Sequence, residues 1–422
     1  MLEKQTKLIT KDYDKIKPHL IESYLNLGGY EILKKIVQEE KDPNELLEKI
    51  KQAGLRGRGG AGFPTGNKIE FAKKFAKEKN QTPYLVVNAD ESQPGTFKDR
   101  YIIDHNPHSL IEGAMIEAYI LRAKKVYIYI NPNYLEQYKI LENTIKTAED
   151  RGFIGKNIFG SRTDIKIYLR LGAGGYIFGE ETTLIGSLEG RRGEPRLRPP
   201  FPVSHGYLDH PTVVNNVETV VNITIILNLG PEEYRKFGTK NSPGTKLYSV
   251  SGSVQAPGVY EAPLGISIRE LVHEISGGMK KGKVLDFVQV GRMGGFYKGK
   301  TLDFKISYDC TGKNDVNVGL GDVLVVDKAS DFEELLISWS TFFKRESCGQ
   351  CTPCREGTYH LYKIAERIQE NKLTAKDYDN LKRLIEVLEK TTICPFGCFV
   401  ANMWKGVIDL KGKNYFLKNK KN

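Results

Sequence analysis

No run of apolar residues in this 422-residue chain approaches the roughly 18 to 20 that would cross a bilayer. The first residues, MLEKQTKLITKDYDK, lack the apolar core of a secretory signal. Together these absences predict a soluble protein of the cytoplasm with no direct membrane span. Low-complexity blocks and internal repeats are missing as well, so the chain should fold as ordinary globular domains, and its length suggests about two to four of them. Basic residues are dispersed, and few aromatics interleave with them outside the tail KGKNYFLKNKKN. That argues against nucleic-acid binding despite a net charge of +11. An acidic partner or an anionic cofactor suits the charge better. Cysteine is scarce, yet three of the six stand close together, which fits a metal site in a reducing compartment rather than a disulfide framework.

Asp42-Pro43-Asn44-Glu45 supplies an N-cap, a proline at the first helical position and an acid three residues after the cap. It predicts a helix from about 43 to 53 that stops at Gly54. Glycine-rich sequence follows to Gly66. YLVVN (84–88), KVYIYI (125–130) and IKIYLRL (165–171) then alternate with HSLIEGAMIEAYILRA and YLEQYKILENTIKTAED. Short apolar runs between amphipathic helices imply a parallel sheet covered on both faces. From about 244, TKLYSVSG, GVYEAP, the short helix SIRELVHEI, VLDFVQV and DVLVVD read as a small mixed sheet around a single helix. From Asp331 onward four long amphipathic stretches predict a helical bundle.

Gly57-Arg58-Gly59-Gly60-Ala61-Gly62 satisfies G-x-G-x-x-G, but a helix rather than a strand precedes it, so the standard dinucleotide turn is not supported. Consecutive glycines still let backbone N–H groups approach a phosphate, and KIEFAKKFAKE could offer a helix N-terminus. A flexible linker is the competing explanation. Asn88-Ala89-Asp90-Glu91 directly follows the first strand and Gly172-Ala173-Gly174-Gly175-Tyr176 the third. Ligands of open α/β sheets bind at such carboxyl ends, although turn chemistry uses the same residues. Glu180-Glu181 open GEETTLIGSLEG, either as acids favoured by the helix dipole or as acceptors for ribose hydroxyls. The second role favours NAD over NADP.

Cys348, Cys351 and Cys354 form a C-x2-C-x2-C run that lacks a fourth ligand. Two helices of about fifteen residues follow, each roughly 22 Å long, and an antiparallel pair would return Cys394 to the starting end. Cys394 precedes Pro395, as the closing cysteine of ferredoxin runs often precedes proline, and is preferred over Cys398, which stays a competitor. Three ligands at this spacing plus a distant fourth favour a [4Fe-4S] cubane over zinc. Cys310 reads as an unpaired loop thiol.

With these residues assembled, the chain resembles the flavoprotein subunit of respiratory complex I, the 51 kDa family of NADH dehydrogenases (NADH-quinone oxidoreductases). The motifs are GLRGRGGAGFPTGNK, NADESQPGTFKDR, GAGGYIFGEETTLIGSLEGRRGEPRLRPPFP, PTVVNNVETV and ESCGQCTPCREGT. The resemblance implies an N-terminal helical and glycine-rich region (1–66), a Rossmann-like FMN/NADH domain (67–240), a ubiquitin-like β-grasp domain (241–330) and a four-helix bundle with the cluster (331–422). It implies FMN contacts at Gly57, Arg58, Gly59, Gly60, Gly62, Lys68, Asn88, Asp90, Glu91, Tyr176, Gly179, Glu180, Asn215, Asn216 and Thr219. NADH contacts are implied at Phe63, Phe71 and Phe201 around the adenine, and at Gln93, Glu181 and Arg198. For the phenylalanines alone, burial in a core would be the simpler reading. Arg58 and Lys68 should favour the FMN phosphate.

The resemblance further implies hydride transfer from NADH to FMN and single-electron transfer through the cluster towards quinone, with no obligatory acid or base. Gln93 and Glu181 would tune the NADH site. The implied partners are a small thioredoxin-like [2Fe-2S] subunit and other peripheral-arm subunits on the cytoplasmic side of the inner membrane. One position departs from the family pattern: a glutamate is usual where this chain has Gln93, and we read the change as a charge-neutralising replacement. A diaphorase subunit of an NAD-dependent hydrogenase or formate dehydrogenase is the nearest alternative. A zinc-binding interaction protein without flavin is a more distant one.

Overall fold

The computed structural model of the chain describes residues 6–291, 295–309 and 315–417. Cys310 and the last five residues of the basic tail lie outside them. Four parallel strands, β1 (Tyr84–Ala89), β2 (Lys125–Ile130), β3 (Lys166–Leu171) and β4 (Thr212–Asn216), form one sheet in the order β3-β2-β1-β4. Leu85 lies opposite Val126 on one side and Val213 on the other. Helices Pro107–Leu121, Leu135–Asp150 and Val217–Leu229 join the core on one face, and Glu181–Leu188 packs on the opposite face against Tyr127, Tyr129 and Val214. Cover on both faces is why these strands are apolar without alternation. The order reverses at β1, which has β2 on one side and β4 on the other. A crevice therefore opens at the carboxyl ends of β1 and β4.

The expected helix spans Pro43–Ala53, with Asp42 accepting from the Asn44 N–H and Gly54 closing it at φ 70°. It does not stand apart from the sheet. Leu33, Ile36, Leu46 and Ile50 belong to the same core as Leu85 and Ile128. The run PTVVNNVETV hid an element boundary: β4 ends at Asn216, whose side chain caps the helix from Val217 by accepting from the Glu218 N–H. Apolar residues continue across that junction, so periodicity alone does not divide it.

The next unit is a five-stranded mixed sheet of β-grasp type. It contains β5 (Thr245–Gly252), β6 (Gly258–Pro263), β7 (Leu285–Val290), β8 (Gly295–Tyr297) and β11 (Asp322–Asp327), in the order β6-β5-β11-β7-β8. A small parallel pair, β9 (Lys305–Ser307) with β10 (Asp315–Asn317), flanks it. The expected short helix is one wide turn over Glu270–Ile275, of π rather than α type, and a 3-10 turn over Gly299–Asp303 accompanies it. The chain then forms helices Phe332–Glu346, Thr352–Gln369, Ala375–Thr391 and Pro395–Lys411 around Leu361, Leu381, Val400 and Trp404. Cys351 and Cys394 are the cap residues of the second and fourth, each followed by a first-turn proline.

Glu112, buried in helix Pro107–Leu121, accepts from the Tyr24 hydroxyl at 2.5 Å. Burial raises its carboxyl from 4.5 to about 7, against the lowering effect of that bond. A folded-state value above the unfolded one stabilises fully below the unfolded value, and the benefit is lost as pH rises through about 7. Glu112→Gln should therefore remove a fall in stability on the order of 3 kcal/mol between pH 4 and pH 7. Urea unfolding across that range reads the slope, and an unchanged slope would refute the assignment.

Candidate functional site

A cavity of about 290 Å³ fills the crevice. Gly59, Gly60 and Ala61 form one wall, Asn88 lies near the end of β1 with Asp90 to Gln93 after it, Tyr176, Ile177, Gly179 and Glu180 follow β3, and Asn216 ends β4. The remaining wall comes from the helical bundle: Cys394, Pro395, Phe396 and Phe399. Gly59 is needed for the fit, because a Cβ there would meet the Asn216 Cβ at 3.0 Å.

Local hydrogen bonds fix these groups. The Asn88 amide donates to the Gly179 carbonyl at 2.9 Å and its oxygen accepts from the Asp90 N–H at 3.0 Å, joining the loops after β1 and β3. Asp90 is buried, and neither carboxyl oxygen has a hydrogen-bond partner among the described residues; the same holds for the Thr96 hydroxyl. Burial, with the Glu346 charge nearby, pushes the Asp90 carboxyl up to about 7. A buried carboxyl without partners at a cavity wall calls for donors from a ligand. Flavin fits that demand, since its ring edge carries an N–H and its ribityl chain carries hydroxyls.

Several predicted residues lie elsewhere or serve other groups. The Arg58 guanidinium is fully buried and turned away from the cavity, donating to the carbonyls of Arg56, Pro243 and Thr245 and to the Tyr234 hydroxyl. Its charge is spent on the turn into β5, which corrects the expectation that it faces a phosphate. Only its backbone N–H reaches a predicted neighbour, the Thr219 hydroxyl, at 2.8 Å. Gly57 donates its N–H to the Phe63 carbonyl, Gly62 packs on Tyr308, and Asn215 donates to Glu117 at 2.5 Å. Glu91 lines the cavity while its oxygens accept the N–H groups of Asp99 and Arg100, both at 3.0 Å. Glu180 is the helix cap foreseen as an alternative, accepting from the N–H groups of Thr182 and Thr183. Its other oxygen meets Arg198 at 3.1 Å; Arg198 also reaches Glu181 at 2.9 Å, and Lys68 reaches Glu181 at 3.5 Å. Phe63, Phe71 and Phe201 are 46, 43 and 51% exposed, so the core reading fails for all three.

Gln93 is buried and bridges domains. Its oxygen accepts from the Tyr176 hydroxyl at 3.5 Å, its amide nitrogen has no partner among the described residues, and Asp322 nearby has its carboxyl raised by burial to about 7.

Cys348, Cys351, Cys354 and Cys394 lie near enough to influence one another's ionisation. Burial raises the Cys354 and Cys394 thiols to about 12. Bound iron supplies the positive charge that such thiols need to ionise. Cys398 points its thiol at the Glu389 carbonyl, 3.7 Å away. Among the described residues no His, Cys, Asp or Glu group is arranged to hold a single metal ion.

Sequence reasoning missed the network behind the cavity. The Lys98 ammonium, fully buried, meets Asp99 at 2.6 Å, Glu218 at 3.0 Å and Asn216 at 3.1 Å. Glu218 also holds Lys246 of β5 at 2.5 Å. Burial opposes the charge of Glu218, but Lys246, Lys98 and Arg58 together outweigh it and hold the carboxyl below its ordinary range. Lysine beside aspartate in TFKDR and a glutamate in NNVETV were the available signals, and nothing in their spacing says that they meet.

A nucleotide crevice walled on one side by a cysteine of an iron–sulfur bundle defines an NADH-oxidising flavoprotein subunit with FMN and a [4Fe-4S] cluster. Family comparison agrees: residues 50–225 match the Nuo51 FMN-binding domain, and residues 334–414 match the NADH-ubiquinone oxidoreductase-F iron-sulfur binding region. The F subunit of NADH-quinone oxidoreductase in Aquifex aeolicus is 41% identical over 95% of this chain and 92% of its own. The NADP-reducing hydrogenase subunit HndC of Solidesulfovibrio fructosivorans is 40% identical over 98% of this chain and 83% of its own. Among solved structures, an air-oxidized NAD+-reducing [NiFe]-hydrogenase gives a TM-score of 0.81 at 34% identity over 96% of this chain, which spans 65% of that chain. The protein belongs to the family of NADH-quinone oxidoreductase F subunits.

Glu218→Ala, which would leave Lys98 and Lys246 without their shared carboxylate, should lower unfolding stability by about 3–5 kcal/mol. Denaturant midpoints of the parent and Glu218→Ala proteins test this, and a loss below about 1 kcal/mol would show the network to be idle.

Proposed function

We propose that this chain is the NADH-oxidising subunit of a respiratory complex I, feeding electrons towards quinone from a peripheral arm on the cytoplasmic side of the membrane. We assign it a small thioredoxin-like [2Fe-2S] partner. The observation that carries the reading is the shared wall: Cys394 and Phe396 line the same cavity as Asn88, Asp90 and Tyr176. When bound at the cavity, FMN would supply the hydride-accepting and one-electron chemistry that links NADH to the [4Fe-4S] cluster.

The chain's own part is binding and orientation. Asp90 and Asn88 would hold the flavin ring edge, and the glycine loop with Lys68 would receive the phosphate. Phe63, Phe71 and Phe201, being exposed, are free to enclose an adenine, and Glu181 would accept from ribose hydroxyls while disfavouring a 2′-phosphate. Cys348, Cys351, Cys354 and Cys394 would hold the cluster. Likeness to HndC and to the hydrogenase structure supports a second reading, a diaphorase subunit of a hydrogenase. Purification of the native complex separates the two: a membrane-bound NADH:quinone reductase supports the first, and a soluble NAD-linked hydrogenase replaces it.

Anaerobic NADH should bleach the flavin absorbance near 450 nm, and dithionite should develop a cubane signal in EPR. Zinc without flavin would sink the reading. Cys394→Ser should lose cluster iron while keeping FMN, whereas Cys398→Ser should keep both; iron analysis decides, and the reverse pattern would move the fourth ligand. Gln93→Glu would set a second carboxyl against Asp322, so that negative charge accumulates as the pair ionises. The flavin should stay, and NADH affinity should weaken with rising pH, by on the order of 1 kcal/mol or about fivefold at pH 8 relative to the parent. Equal affinities at every pH would show that this site does not tune binding.

A further inference from the structure

The bundle touches the flavin loops at a second place, two residues before the first cluster cysteine. Glu346 ends helix Phe332–Glu346, and its carboxylate accepts from the Tyr176 backbone N–H at 2.6 Å. That N–H belongs to the loop after β3, whose Tyr176, Ile177, Gly179 and Glu180 line the cavity. Glu346 comes so close to this loop that a Cβ on Gly175 would lie 3.4 Å from its oxygen. One turn earlier on the same helix, Phe342 meets the Tyr176 ring edge-on with centroids 5.2 Å apart, and Phe396, beside Cys394, approaches that ring from the other helix at 5.8 Å. The segment that follows Glu346 is short, and the Ser347 hydroxyl lies 3.2 Å from the Cys354 sulfur.

A charged acceptor on a backbone N–H at this distance makes a strong, directional bond. Nothing in the fold requires the carboxylate there for helix capping, because Glu346 stands at a C-terminus, where the macrodipole disfavours an acid. Its position is explained by what it grips.

We propose that Glu346 is a positioning residue that pins the Tyr176 loop of the flavin cavity to the segment carrying Cys348, fixing the placement of the flavin relative to the cluster. The inference rests on the functional reading above and adds a residue to it. Electron transfer between two centres needs their separation held constant, and this latch joins the loop that walls one centre to the loop that ligates the other. Because it acts through Tyr176, Glu346 need touch neither cofactor.

The test compares holoprotein carrying Glu346→Ala, which removes the acceptor, with Glu346→Gln, which retains an oxygen acceptor without the charge. Hydrogen exchange reports on the Tyr176 amide, and rapid-freeze EPR with stopped-flow absorbance follows the cluster and the flavin separately after NADH is added. Glu346→Ala should speed exchange at Tyr176 by about tenfold or more and slow cluster reduction by a similar factor, with the flavin still bleached by NADH ahead of the cluster. Glu346→Gln should lie near the parent on each measure. A Tyr176 amide that stays protected in Glu346→Ala overturns the latch, as does faster exchange with cluster reduction at the parent rate. Should Glu346→Ala lose FMN or iron, Glu346→Asp, one methylene too short to reach, takes its place under the same criteria. Failure of the parent to bleach with NADH would instead refute the functional reading, and exchange would still decide whether the latch exists.

Discussion

Glu218 is fully buried, and it is shared by two lysines that are equally buried, Lys98 from the segment after β1 and Lys246 from β5. Its second oxygen accepts the Leu247 N–H at 2.8 Å, so the carboxylate ties the backbone of the β-grasp unit to the helix that begins after β4. Lys98 extends the tie to Asp99 and Asn216, both of which line the flavin cavity. Two ammonium groups share the Glu218 carboxylate, with Asp99 as the second partner of Lys98, and burial depresses Lys246 to about 7 despite that pairing. Such an arrangement is a poor source of stability compared with an apolar core. What it specifies is geometry: the cavity floor, the end of β4 and the start of β5 cannot move independently without stranding a charge.

The same logic explains why Arg58 is not where a phosphate reader would place it. The glycine loop must be anchored from behind, and its arginine does this by donating to the Arg56 carbonyl of the same loop and to the Pro243 and Thr245 carbonyls at the turn into β5. Gly59, Gly60 and Ala61 of the loop then line the cavity. Cations in such motifs divide between those that meet the ligand and those that hold the loop still, and sequence offers no way to tell them apart.

Local signals were legible where they are self-contained. The cap at Asp42, the stop at Gly54 and the short apolar strands each depend on neighbours a few residues away, and the structure has them at those positions. The return of Cys394 to the C-x2-C-x2-C run follows from two helices of matched length, Thr352–Gln369 and Ala375–Thr391. Contacts across hundreds of residues were illegible. Glu261 of β6, for instance, accepts the N–H groups of Leu8, Ile9 and Thr10, a buried clasp on the N-terminal segment that no periodicity announces. The phenylalanines at 63, 71 and 201 show the limit of composition as a guide, because their exposed rings violate the usual rule of burial.

The flavin crevice belongs to the parallel sheet, but the sheet alone leaves it open on one side. The bundle closes that side with Pro395 and Phe396, and in doing so brings Cys394 to the cavity. Closure and electrical contact are therefore a single packing event. A cluster domain that docked more loosely would admit water to Asp90, whose unpartnered carboxyl is pushed up to about 7 by burial first and by Glu346 second. Hydrated, that carboxyl would take its donors from water rather than from a bound flavin. Tight docking of the bundle would thus reserve the Asp90 carboxyl for the flavin in the same step that brings Cys394 to the cavity.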